Sequence, residues 1–189
     1  MNQWYEIIEC DNTVADPFVA DKIEPQDFDD IPLVSGQPVA NWTCSLTLQA
    51  SSAEWDGEPD DVLQNAFDIP VFSKRLQSAI QEEGFHDLQF LPVQVLRPDM
   101  SQIEGFAIAN ILRLVPCLDW EKSQYRRSRR RKGECSSISK LILVRSAVEG
   151  LDLFRMKEFQ MSLFVSRRFK EFFEQRHFTG YSFHPVRVE

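Results

Sequence analysis

The side chains able to do chemistry are few and scattered. His177 and His184 stand seven positions apart, but a helix end and a turn are expected between them, and the third histidine, His86, is remote. A metal site needs three or four converging ligands, so none is expected. Cys10, Cys44, Cys117 and Cys135 are widely and irregularly spaced, and no CxxC occurs. That argues against a zinc ribbon or a redox motif. They read as reduced thiols packed in or near a core. A disulfide, or a cysteine–histidine nucleophile assembled in space, stays open at this level. The carboxylate pairs Asp29-Asp30, Asp60-Asp61 and Glu82-Glu83 lie adjacent in the chain. Glycosidase-type chemistry needs facing carboxylates with separated pKa values, whereas adjacent acids in loops are ordinarily solvated. The chain has seven glycines, none in a GxGxxG or GxxxxGK pattern, so no phosphate cradle is expected. GxSxG and HExxH are also absent. These residues point away from an enzyme and call for no cofactor.

Two segments read better as surfaces. The first is Glu54-Trp55-Asp56-Gly57-Glu58-Pro59-Asp60-Asp61. Tryptophan is enriched at interface hot spots, and an acidic rim suits a basic partner. The competing reading tucks Trp55 into the core. The second is the run Arg126-Arg127-Ser128-Arg129-Arg130-Arg131-Lys132. It could contact phosphates, and a nucleic-acid-binding regulator is the alternative function. Yet no aromatic is interleaved beyond Tyr125, and the whole chain carries a net charge of −8. A solvated loop is the main reading, and nucleic acid is not the expected partner. Residues 1–100 hold 19 acidic and 4 basic side chains, residues 101–189 hold 10 and 17. A fold that kept these halves apart would be dipolar and would steer a charged partner. A fold that intermixed them would average the field out.

The elements that must position these residues follow from periodicity. Trp4–Cys10 reads as a strand, residues 11–41 as an acidic, proline-broken loop, and Thr43–Ala50 as a period-two strand. Residues 51–61 read as a loop. Ser73 caps a helix that stops at Gly84, with Leu76, Ala79 and Ile80 on one face. Strands are expected over Leu88–Arg97 and over Gly105–Val115, the latter apolar enough to be central. A polar loop is expected over 119–137, then strands over Ile138–Arg145 and Phe159–Val165. Ser166 caps a last helix with Phe169, Phe172 and Phe173 on its buried side, and Tyr181–Val188 is a final strand. Without regular βαβ alternation the class is α+β, a mixed or antiparallel sheet with two helices. No apolar run is long enough to span a membrane. The start, MNQWYEIIECDN, lacks the basic and apolar regions of a secretory signal, so a cytoplasmic protein is expected.

The two helices sit in matching units. Residues 73–95 and 166–188 are each 23 long and align without a gap. The identities are Ser73/Ser166, Arg75/Arg168, Phe85/Phe178, Phe90/Phe183, Pro92/Pro185, Val93/Val186 and Val95/Val188. They suggest a repeated strand–helix–strand unit. The prolines cannot donate to a ladder and should lie at strand edges, ends or bulges.

Four segments taken in order carry a resemblance: FDIPVFSKRL (67–76), ANILRLVPCLDWEKSQY (109–125), LFRMKEFQMSLFVSRRFKEFF (153–173) and TGYSFHPV (179–186). Their most specific marks are Asn110, Leu112, Arg113, Leu118, Asp119 and Ser123, the Phe154-Arg155 pair, and Val165-Ser166. Together they resemble immunity protein family 11 of bacterial polymorphic toxin systems, over roughly residues 65–188. The resemblance implies a protein that binds and neutralises a cognate toxin domain in the producer's cytoplasm. It brings no catalytic residues. The basic run and the acidic first third match no mark of the family. One domain over 1–189 is expected, with an acidic, proline-rich part at 1–64 and a core at 65–189. The candidate partner-binding residues are Glu54, Trp55, Asp56, Glu58, Asp60, Asp61, Arg113, Asp119, Trp120 and Arg155. Asn110, Arg113, Asp119 and Arg155 could equally be buried polar groups that fix the fold.

Overall fold

The computed structural model describes residues 3–9, 18–25, 33–43 and 46–189. Cys10, Cys44 and much of the expected 11–41 loop lie outside the described residues. In chain order the elements begin with β1 (Trp4–Glu9), β2 (Val19–Ala20), β3 (Lys22–Glu24), β4 (Thr47–Gln49) and β5 (Gln64–Asn65). The middle holds β6 (Val71–Phe72), α1 (Lys74–Glu82), β7 (Leu88–Pro92), β8 (Gln94–Leu96), β9 (Gln102–Ile103), β10 (Ala107–Ile111) and β11 (Leu114–Val115). The last part is β12 (Gln124–Arg127), β13 (Cys135–Lys140), β14 (Ile142–Leu143), α2 (Arg145–Val148), β15 (Leu153–Met156), β16 (Leu163–Ser166), α3 (Arg167–Gln175) and β17 (Tyr181–Val188). Mixed sheets with few helices make this an α+β protein.

The largest sheet runs β11-β15-β16-β1-β17-β14. Its inner pairs are antiparallel and its two outer pairs parallel. A second sheet, β6-β10-β7, is antiparallel throughout. A third, β3-β4-β8-β9, has a parallel centre. Every residue of β10 is buried, as its apolar sequence requires of a central strand.

Both long helices start as their sequence dictates. Ser73 Oγ accepts from the Leu76 amide, and Ser166 Oγ from the Phe169 amide, both at 3.2 Å. Gly84 takes φ +77° just past α1, the left-handed cap for which glycine has no steric penalty. The apolar stripes, Leu76–Ala79–Ile80 and Phe169–Phe172–Phe173, enter one core with Phe85, Phe178 and Tyr181. Fully burying such a side chain contributes roughly 1.5–3 kcal/mol.

The two helix starts make matching contacts. Ser73 Oγ donates to Asp61 at 2.8 Å, and Ser166 Oγ donates to Asp152 at 2.7 Å. Arg75 pairs with Asp61, and Arg168 with Asp152. Each arginine also reaches the other helix's end: Arg75 donates to the carbonyls of Arg176 and His177, and Arg168 to that of Glu83. The guanidiniums lie 4.3 Å above the rings of Phe178 and Phe85. Strands β6 and β7 flank β10, as β16 and β17 flank β1. Pro92 ends β7, and Pro185 sits where β17 has β1 on one side and is not yet paired with β14.

Other expectations need correcting. Leu88–Arg97 is two strands, because the chain leaves one sheet at Pro92 and enters another at Gln94. Gly105–Val115 likewise divides between β10 and β11. The 119–137 segment is largely a hairpin of β12 and β13, not a loop. Its side chains are mostly exposed, so backbone pairing holds it and no apolar alternation announces it. Ile138–Arg145 is shared by β13, β14 and α2, and β16 begins only at Leu163. Strand β15 and the short β2 and β3 were not foreseen.

Candidate functional site

The Trp55 segment is a surface. A 3-10 turn over Ala53–Trp55 is capped by Ser52, whose Oγ accepts from the Glu54 amide at 3.3 Å. Nothing in this turn is buried. Trp55 is 38% exposed, which settles its position against the core reading. Glu54 is exposed beside it. Arg97 fastens the next residues, donating to Asp56 at 2.7 Å and standing 3.7 Å from Glu58. Asp60 is half-buried. Asp61 departs from the group: it is 9% exposed and accepts from Ser73, Arg75 and the Thr179 amide. Those bonds tie the start of α1 to the turn before β17. Its place is internal, not on an acidic rim.

Arg113, Asp119 and Trp120 lie elsewhere, Arg113 exposed and the other two half-buried. Arg113 is exposed and pairs with Asp87 at 2.9 Å. Asp119 accepts from the amides of Glu121 and Lys122 and turns the chain toward β12. The Lys122 amide, helped by that of Glu121, holds its carboxyl below the ordinary carboxylate range. Trp120 meets Tyr125 edge-to-face at 4.8 Å, and the Arg127 guanidinium lies 4.6 Å above the indole. One arginine of the basic run is therefore stacked on aromatics, while Arg126, Arg129, Arg130, Arg131 and Lys132 are exposed around the hairpin tip. Arg131 stands 3.5 Å from Glu134.

Asn110 is 1% exposed and donates to Gln37 and Gln89. Arg155, on β15, is 3% exposed. Its amide donates to the Arg113 carbonyl and its Nη1 to the Gln160 carbonyl at 2.9 Å. Burial pushes its pKa down. Its side chain faces a cavity of about 290 Å³, which Ile8, Asp68, Met161 and Tyr181 also line. Sequence singled out Arg155 but gave no sign of the cavity, which assembles from β1, the 68–70 turn, the β15–β16 turn and β17.

The described thiols are poor nucleophiles. Cys117 and Cys135 are buried, and burial together with Glu158 pushes both thiols up. The three histidines are exposed. Among the described residues no three His, Cys, Asp or Glu side chains gather to hold a metal ion. Among the described residues no helix is long and apolar enough to cross a membrane.

A family model described as the Immunity protein family (Imm11) matches residues 22–188. The chain belongs to this family. No curated protein matches it.

Proposed function

We propose that this protein neutralises a cognate bacterial toxin domain by binding and occluding it, stoichiometrically and without catalysis, in the cytoplasm of the cell that makes both. Family membership across residues 22–188 carries this reading. The exposed Trp55 in its acidic turn supports it, since a tryptophan held at the surface among carboxylates suits a basic partner face. Asp61 is left out of that surface. The chain acts as a single domain, and residues 73–95 and 166–188 are a repeated strand–helix–strand unit. The exchanged arginine contacts of α1 and α3 and the matching order of their flanking strands support the repeat.

The test is co-expression with the product of the neighbouring upstream reading frame in a cell that this product alone would kill. Rescue and a stable complex are expected; failure of both overturns the reading. In the purified complex, Trp55→Ala should weaken affinity by roughly thirtyfold. Glu54→Lys with Glu58→Lys should slow association by about tenfold at low salt, an effect that shrinks as salt screens it. An unchanged association rate would remove the acidic turn from the interface.

A further inference from the structure

The Arg155 cavity joins three features that a folded core ordinarily avoids. Arg155 is 97% removed from solvent, yet its Nε has no hydrogen-bond partner and no carboxylate opposes its charge among the described residues. A buried cation without a counter-ion is costly, and an anion-accepting site is one reason to keep it. Ile8 and Met161 are two of the four exposed large apolar side chains among the described residues, at 45% and 55%, and both line this cavity. Among the described residues, the β1 ladder is also unpaired on one side here. Its pairing with β16 stops at Ile7, whereas its pairing with β17 runs on to Glu9.

We propose that this cavity receives an acidic side chain of the toxin, its carboxylate on Arg155 and its flanking backbone along the open edge of β1. The inference rests on the immunity reading for the identity of the partner. A peptide suits the site better than a free carboxylate. The guanidinium, with one Nη given to Gln160, is a planar, charged donor group suited to a carboxylate. The β1 edge offers backbone groups to an extended segment. Apolar neighbours of the acidic residue would cover Ile8 and Met161. Asp68, exposed at the mouth, can accept from a peptide amide.

The free protein decides the site itself. With its arginines labelled with nitrogen-15, it is titrated with the capped tripeptides acetyl-Leu-Asp-Leu-amide and acetyl-Leu-Asn-Leu-amide, and with acetate. The Arg155 Nε–H resonance should move and saturate with the aspartyl peptide, and move less with the asparaginyl peptide and with acetate. Equal response to acetate would assign the cavity to small carboxylates, and no response would empty the proposal; either overturns it. So would a shift of that resonance in Asp11→Asn or Asp16→Asn without added peptide, since the chain would then fill its own site. The complex tests the partner. Arg155→Met should bind the toxin roughly thirtyfold more weakly while its Tm stays level or rises, because an unpaired charge has left the interior. The exposed variants Ile8→Glu and Met161→Glu should weaken binding as well. If Arg155→Met instead lowers Tm and binds normally, the side chain serves only the Gln160 turn and the proposal is wrong. Should the wild type bind no upstream product, the immunity reading fails, while the peptide titration still decides the cavity.

Discussion

Asp61 and Asp152 hold equivalent posts at two helix starts, but their surroundings differ. The Asp61 side chain is 10% exposed and Asp152 is 31% exposed. Asp61 also accepts the Thr179 amide, and its loss leaves a hydroxyl, an amide and a guanidinium without their acceptor. Asp61→Ala should cost about 3 kcal/mol, held below the fully buried range because Arg75 is half exposed. Asp152→Ala should cost about 1 kcal/mol. Urea unfolding of the two variants measures the difference. Sequence placed Asp61 in an acidic loop because five acids crowd residues 54–61. It could not show that one of them turns inward to a serine twelve positions away.

Asp119 gives a pH test at the same scale. Its carboxyl titrates below the ordinary 3.8 in the folded chain, chiefly through the Lys122 amide. Its ionised form therefore stabilises the fold above that pH, and the contribution is lost as pH falls through the folded value. The Tm difference between wild type and Asp119→Ala should be full near neutrality and should shrink as pH falls below the ordinary 3.8. A difference that persists in acid would assign the effect to backbone strain rather than to the charge.

Among the elements, α3 and the basic hairpin are opposite cases. Phe173 on α3 is 2% exposed and meets the rings of Phe178, Tyr181 and Phe183. Phe173→Ala should cost about 3–5 kcal/mol by lost transfer energy and the cavity left behind. Replacing Arg129, Arg130 and Lys132 at the hairpin tip with Gln should change stability by no more than about 0.5 kcal/mol, since these side chains hold nothing in place. Chemical denaturation reads both. The contrast explains what was legible. A helix with a serine cap and a phenylalanine stripe declares itself, because cap and stripe are local. An exposed hairpin declares nothing, because its bonds are between backbones.

For the whole molecule, the informative placement is β1. The family match begins at residue 22, yet Trp4–Glu9 forms the strand between β16 and β17 in the largest sheet. Trp4 is 3% exposed and meets Phe154 edge-to-face at 5.1 Å. Deleting residues 1–9 should abolish the cooperative thermal transition followed by far-ultraviolet circular dichroism, because the sheet would lose its centre. A deletion that melts like the full chain would show that the sheet closes without β1.

Sequence alone determined the α+β class, the two capped helices and their aromatic faces, the last strand and the family. Each rests on local spacing or on marks read in order along the chain. Tertiary structure alone decided that Trp55 is exposed, that Asp61 and Arg155 are internal, and that β7 and β8 part at Pro92. It also decided that Ile8, Asp68, Arg155 and Met161 share one cavity. Those facts depend on which segments meet across the fold, from tens of positions apart for β4 and β8 to more than a hundred for β1 and β17. Backbone hydrogen bonds are alike at every residue, so a strand's side chains tell that it is a strand but not which strand it pairs with.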